Sequence, residues 1–218
     1  MKEIFSFLKD LDANNNREWF NDHKDRYLAI KEQFDVYIQE LINSISEFDP
    51  EMSMVTPQEA VYRIYRDIRF SLDKTPYKNY MSAIIKSGGK KSFRSCYYVQ
   101  LQPGQSFFAG GMGMMDPKLA KALRNDIYYN IEEFRGIVEH PDFAGNYSMY
   151  GESFKKVPSP YPADFEYADW LKYKLYLPFS VVPDTFFTGK DIVKRSAERL
   201  KILLPFNKFV NYTVEESM

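Results

Sequence analysis

Residues 80–112, YMSAIIKSGGKKSFRSCYYVQLQPGQSFFAGGM, decide the fold. Three runs within them, Tyr80 to Lys86, Cys96 to Gln102 and Ser106 to Met112, are short and rich in β-branched or aromatic residues. Gly-Gly-Lys-Lys and Pro-Gly-Gln separate the runs, and glycine and proline between strand-like segments mark chain reversals. The spacing predicts an antiparallel meander in the middle of the chain.

Upstream, Ile4, Phe7, Leu8 and Leu11 recur at helical spacing and predict a short helix that stops in Asn14-Asn15-Asn16. Asn15 with Glu18 three residues on has the spacing of a capping box. The stripe Phe20, His23, Tyr27, Ile30, Phe34, Tyr37, Leu41 then predicts one helix to about Ser46, ended by Asp49-Pro50. Ala60 to Phe70 fits two periods. Val61, Ile64 and Ile68 suit a helix, while Tyr62, Ile64 and Ile68 alternating with Arg63, Asp67 and Arg69 suit a strand, which the reading favours.

Downstream, Asp116-Pro117 joins an N-cap to a proline at the first helical position, and Leu119, Leu123 and Ile127 carry that helix into a second over Ile131 to Val138. A proline-rich connection spans Gly151 to Pro162. Trp170 to Val182 alternates as a strand, and Asp184 to Phe209 predicts a closing helix bearing Ile192, Leu200, Leu203 and Leu204. Strands in the middle and helices at both ends predict an α+β fold: a central, largely antiparallel sheet packed by N-terminal and C-terminal helices, in a single domain over 1–218.

At 218 residues, 44% of them hydrophobic, the chain suits one sizeable core and is tight for two. Lysine and arginine number 29 against 30 aspartates and glutamates, a formal charge of -1, so any anion site is local rather than a global basic surface. The single cysteine, Cys96, excludes an intramolecular disulfide and a cysteine zinc cluster, and the cytoplasm is the expected location. Glu3, Lys9 and Asp10 interrupt the apolar core that a signal peptide needs. No apolar run is long enough to span a bilayer, so no membrane partner is expected.

The densest chemical signal is Arg63-Ile-Tyr-Arg66-Asp67-Ile-Arg69-Phe-Ser-Leu-Asp73-Lys74-Thr-Pro-Tyr-Lys78, which gathers five cations, two carboxylates and three aromatics. It joins three other blocks: Asn14-Asn-Asn-Arg-Glu-Trp-Phe-Asn-Asp-His23-Lys24, Tyr97-Tyr-Val-Gln-Leu-Gln-Pro-Gly-Gln-Ser-Phe-Phe-Ala-Gly-Gly-Met112 and Trp170-Leu-Lys-Tyr-Lys174. Together these resemble the family catalogued as domain of unknown function 2461, over nearly the whole chain and with no departure in the four blocks. The resemblance implies a self-contained domain of this length with no cofactor. It carries no assigned functional residues.

Arginine planes recognise phosphate and carboxylate through paired donors, and lysine adds a compact charge. Arg63, Arg66, Arg69, Lys74 and Lys78 outnumber Asp67 and Asp73, so a cation-rich pocket for a phosphorylated or carboxylate ligand is expected. The alternative is that the arginines pair with carboxylates of neighbouring elements. In a strand, Arg63, Asp67 and Arg69 share a face and Arg66 points away. Asp67, close to arginine in either conformation, is expected to be a poor base and an organiser of guanidinium planes.

His23, with Arg17 and Lys24 in its block, is the candidate proton-transfer residue of a metal-independent enzyme; the alternative is a core histidine bonded to a backbone carbonyl. No metal-ligand spacing accompanies the acidic residues, and Ser71 and Ser106 lie outside any nucleophile elbow. Gly104, Gly110, Gly111 and Gly113 read as hairpin or bulge positions. Trp170, Lys172 and Lys174 on one strand face suggest the other function class, a non-catalytic module for single-stranded nucleic acid or a protein partner.

Overall fold

The computed structural model describes residues 1–113 and 115–217. The central meander is present: β1 (Met81–Ile85), β2 (Cys96–Leu101) and β3 (Phe107–Gly111) pair antiparallel, Ala83 opposite Val99 and Val99 opposite Phe108. Two more strands, β4 (Ser148–Tyr150) and β5 (Leu177–Val181), complete a five-stranded antiparallel sheet in the order β1-β2-β3-β5-β4. Side chains alternate across a sheet. Ala83, Ile85, Val99, Leu101 and Phe108 are therefore fully buried on one face.

Helices cover that face. At the N-terminal side lie α1 (Lys2–Ala13), α2 (Arg17–Asp22), α3 (Lys24–Ser46) and the single turn α4 (Pro57–Ala60). The C-terminal side supplies α5 (Pro117–Tyr129), α6 (Ile131–Val138), α7 (Pro141–Asn146), α8 (Ala168–Lys172), α9 (Asp184–Thr188), α10 (Ile192–Lys201) and α11 (Leu204–Ser217). Helix α3 packs on β1 and α10 on β3, and the two helices meet each other. A buried bond between the Tyr37 and Ser196 hydroxyls, 2.8 Å, ties them. Ile4, Phe7, Leu8 and Leu11 of α1 join Phe34, Ile38 and Leu41 of α3 in the same core, making this one α+β domain. Each such side chain contributes about 1.5–3 kcal/mol relative to exposure.

Four elements depart from the sequence reading. The predicted helix from Asn15 breaks at His23 (φ -111°, ψ 19°), and Asn16, not Asn15, caps α2 by accepting from Trp19 N–H at 2.9 Å. Asn15 is not at the cap because its side chain is engaged elsewhere. Residues 61–70 form neither a helix nor a continuous strand. A capping box between Thr56 and Glu59 starts α4, after which the chain makes two isolated bridges, Val61 to Ala83 of β1 and Tyr65 to Tyr77. Pro76 has no N–H to donate, and residues 67–75 loop away.

The predicted strand from Trp170 is helical in its first part. Arg124 stabilises that helix end, donating to the Leu171 and Tyr173 carbonyls at 2.9 and 2.8 Å and so satisfying acceptors a helix end leaves free. Trp170, Lys172 and Lys174 consequently share no strand face, and only Leu177–Val181 is a strand. The closing helix is three helices. Extended backbone at Gly189 ends α9, and Pro205, intolerable in a helix interior, sits in the first turn of α11.

Candidate functional site

The Asn14 to Lys24 block and the Arg63 to Lys78 block meet at Asn15. Its carboxamide behaves as a short strand would: Tyr77 N–H donates to Oδ1 at 3.1 Å, and Nδ2 donates to the Tyr77 carbonyl at 3.0 Å. Behind this pair Phe20 stacks on Tyr77 with ring centroids 4.0 Å apart, and Tyr65 packs on both rings. A polar clamp and an aromatic stack thus hold the motif segment against α2.

A cleft of about 520 Å³ opens beside the clamp, lined by Asp12, Asn15, Arg66, Asp67, Asp73, Thr75, Tyr77, Lys78, Asn79 and Tyr80. A smaller one of about 320 Å³ is lined by Arg17, Asn21, Tyr65, Arg66, Ile68, Pro76 and Tyr77. The wall of the larger cleft is mixed: it carries Arg66 and Lys78 together with three carboxylates, Asp12, Asp67 and Asp73.

Much of the motif's charge is satisfied internally. The Arg66 guanidinium is bound by the Asp73 carboxylate and the Thr75 hydroxyl. Arg69 donates to Asp67 through Nε at 2.9 Å and Nη2 at 2.6 Å, and Lys74 donates to the Ile68 carbonyl at 3.0 Å. The Arg69 bonds pull Asp67 down to about 2. Asp73 also falls to about 2, through the Thr75 N–H first and Arg66 second. Both carboxylates stay ionised at neutral pH and are weak bases.

Lys78 differs. It is half-buried, and among the described residues its ammonium has neither a carboxylate nor another hydrogen-bond acceptor. Nζ lies 5.1 Å from the Tyr62 ring centroid and 5.6 Å from that of Tyr80. Lys90 approaches the same Tyr62 ring to 4.8 Å while donating to the Val61 carbonyl at 2.8 Å. Burial first, then the charges of Arg63 and Lys90, push Lys78 below the ordinary lysine range. Arg63 and Arg17 are exposed, and among the described residues neither has an ion-pair partner.

The other expected residues lie apart. His23 is half-buried, stacked on Trp19 at 4.1 Å, with Nδ1 2.8 Å from the Trp19 carbonyl, and it lines neither cleft. Lys172 is paired with Asp169 and Lys174 with Glu152, each at 2.6 Å. The sequence marked Asn15 only as a helix cap and gave Asp12, Tyr62, Tyr80 and Lys90 no role in a site. Only the three-asparagine run, too long for one cap, gave a hint that Asn15 had another use.

Among the described residues no group of three or more histidine, cysteine, aspartate or glutamate side chains is placed to hold a metal ion, and no helix is long and apolar enough to cross a membrane. No curated protein and no solved structure matches the chain. A family model described as "Conserved hypothetical protein (DUF2461)" matches residues 3–209, and the chain belongs to that family.

Proposed function

We propose that the cleft beside Tyr77 binds a small phosphorylated or carboxylate ligand against Lys78. One observation carries this reading: Lys78 is a half-buried cation on the cleft wall without a counter-charge, whereas Arg66 and Arg69 are held by Asp73 and Asp67. A desolvated charge is costly unless paired. An anion in the cleft relieves that cost by accepting charge-assisted hydrogen bonds from Lys78. In this reading Arg66, Asp67, Arg69 and Lys74 shape the loop that frames the ligand. His23, stacked on Trp19 and lining neither cleft, takes no part in this reading.

The test is thermal unfolding in phosphate or sulfate against chloride of equal ionic strength. A ligand that binds only the folded state raises Tm. Tm should rise in the oxyanions, and the rise should vanish in Lys78→Met. Equal Tm values in all three salts overturn the reading.

A second reading, non-catalytic recognition of single-stranded nucleic acid, is favoured by a row of rings on the sheet face opposite Val99 and Phe108. Tyr98, Phe107, Phe179 and Tyr150 follow one another across β2, β3, β5 and β4 at centroid distances of 5.4, 4.5 and 5.2 Å. Aromatic rows on sheets stack bases. Oligothymidylate binding that weakens steeply with salt would support this reading over the first.

A further inference from the structure

We propose that the ligand of the larger cleft is a small zwitterion, an α-amino acid or an aminoalkyl phosphate, whose anionic end meets Lys78 and whose ammonium meets Asp12. This rests on the anion-site reading and narrows it to ligands that carry both charges.

The charges of the wall nearly cancel. The lining carries two cations, Arg66 and Lys78, and three carboxylates, Asp12, Asp67 and Asp73. Arg66 is bound to Asp73, and Arg69, outside the lining, is bound to Asp67. One cation and one carboxylate are left over, Lys78 and Asp12, and among the described residues neither has an ion-pair partner. A ligand that is only an anion would satisfy Lys78 and be repelled by Asp12. A ligand with an ammonium as well satisfies both, and a cleft of about 520 Å³ admits a molecule of that size.

Asp12 is also held in place by a directed chain of donors that begins on the sheet. The Tyr98 hydroxyl donates to Gln100 Oε1 at 2.7 Å, and Gln100 Nε2 donates to Gln102 Oε1 at 2.7 Å. Gln102 Nε2 donates to Asn79 Oδ1 at 3.4 Å, and Asn79 Nδ2 donates to Asp12 Oδ1 at 2.9 Å. Every donor runs toward Asp12, and hydrogen bonds aligned in one direction polarise one another. Each donor is neutral, so the chain orients the carboxylate and leaves its charge uncancelled. Asn79 follows Lys78 in sequence, which joins the two charged groups through a single residue.

The fold gives Asp12 no reason of its own to be acidic. It lies in the last turn of α1, at the negative end of the helix dipole, where a carboxylate is disfavoured. Asp10 in the same turn is compensated by Arg26 at 2.6 Å. For Asp12 the compensating cation comes with the ligand.

The test follows Tm of the full chain against the concentration of three pairs of probes, each pair sharing an anion and differing by an ammonium: L-alanine and propionate, L-phenylalanine and hydrocinnamate, O-phosphoethanolamine and ethyl phosphate. In at least one pair the ammonium member should bind about fivefold more tightly, the most that a single exposed ion pair supplies. Which pair responds tells whether carboxylate or phosphate is the anion. Asp12→Asn keeps the acceptor for Asn79 and removes the charge. It should be at least as stable as the parent, lose the preference for the ammonium member, and respond more strongly to sulfate because the repulsion is gone. Lys78→Met should lose binding of both members. If no pair discriminates, if the preference survives in Asp12→Asn, or if that variant is markedly destabilised, while the sulfate rise persists in the parent, the zwitterion is wrong and the anion site stands. If sulfate leaves the Tm of the parent chain unchanged, both fall.

Discussion

Asn15 and Tyr77, 62 residues apart, exchange two hydrogen bonds, so that one side-chain amide reads the main chain of the motif segment. Asn15→Ala leaves a partly buried N–H and C=O without partners, and stability should fall by about 1–3 kcal/mol in urea unfolding. The sulfate response should weaken with it, because the cleft wall loses its anchor. Asn15→Asp, which keeps the acceptor and loses the donor, should fall between. An alanine variant as stable as the parent would mean that the Phe20 stack alone holds the segment.

Gly111 and Gly104 both have positive φ, 73° and 72°, but their surroundings differ. A Cβ on Gly111 would sit 2.3 Å from the Tyr176 carbonyl oxygen and 2.8 Å from the Phe206 ring, while one on Gly104 would meet nothing within 4 Å. Asn207 fixes the same point, accepting from Gly111 N–H at 2.9 Å and donating to the Cys96 carbonyl at 3.1 Å. Gly104→Ala should cost only the backbone strain of a left-handed residue, about 1–2 kcal/mol. Gly111→Ala should prevent folding or cost upwards of about 4 kcal/mol. Circular dichroism and denaturant titration of the pair separate strain from collision.

The meander, the Asp116 cap and the helices of the N-terminal core were legible because they rest on local pattern: glycine and proline between short runs, apolar residues every three or four. Asp116 does accept from Leu119 N–H at 2.8 Å. Where the sequence misled, a distant partner had overridden the local preference. Arg124 made a helix end of a segment that alternates like a strand, and Tyr77 drew Asn15 away from a cap it was spaced to form. The site was half-legible for the same reason. Charge density located the motif, but which cations are free depends on contacts across the fold, and those singled Lys78 out from Arg66 and Arg69.

The two ion pairs of the motif should behave differently on mutation. Arg69 and Asp67 are exposed, so Asp67→Asn and Arg69→Ala should each leave stability within the error of a urea titration. Arg66 is half-buried and holds both Asp73 and Thr75, so Arg66→Ala should open the 66–76 loop, read as faster proteolysis there. Acid acts on the same pairs. Asp67 and Asp73 titrate near 2 when folded, below an unfolded value of about 3.9, so their contribution is complete above the unfolded value and is lost as pH falls through about 2. Loop proteolysis by an acid-stable protease should therefore accelerate between about pH 4 and 2, and Arg66→Ala should show the open-loop rate already at the upper end. Equal rates for the parent chain across that window would sink the assignment.

Lys78 tests whether the site sacrifices stability for binding. A lysine whose pKa is lowered on folding disfavours the folded state at every pH below that lowered value, and the penalty fades as pH rises past it. Lys78→Met removes the charge and keeps a flexible apolar chain against Tyr62 and Tyr80. In low-salt chloride at neutral pH the variant should unfold at the same temperature as the parent or higher, although its sulfate response is gone. In the parent the sulfate response should be full near neutrality and decline at a pH below lysine's ordinary value, as the ammonium is lost. Lys78→Arg should keep its response throughout that range, because a guanidinium does not titrate there. Tm measured with and without sulfate from about pH 7 to 10 checks all three chains across the window below the ordinary lysine value. If Lys78→Met is markedly less stable without any oxyanion, the ammonium already has a partner in the fold, and the anion site loses the observation on which it stands.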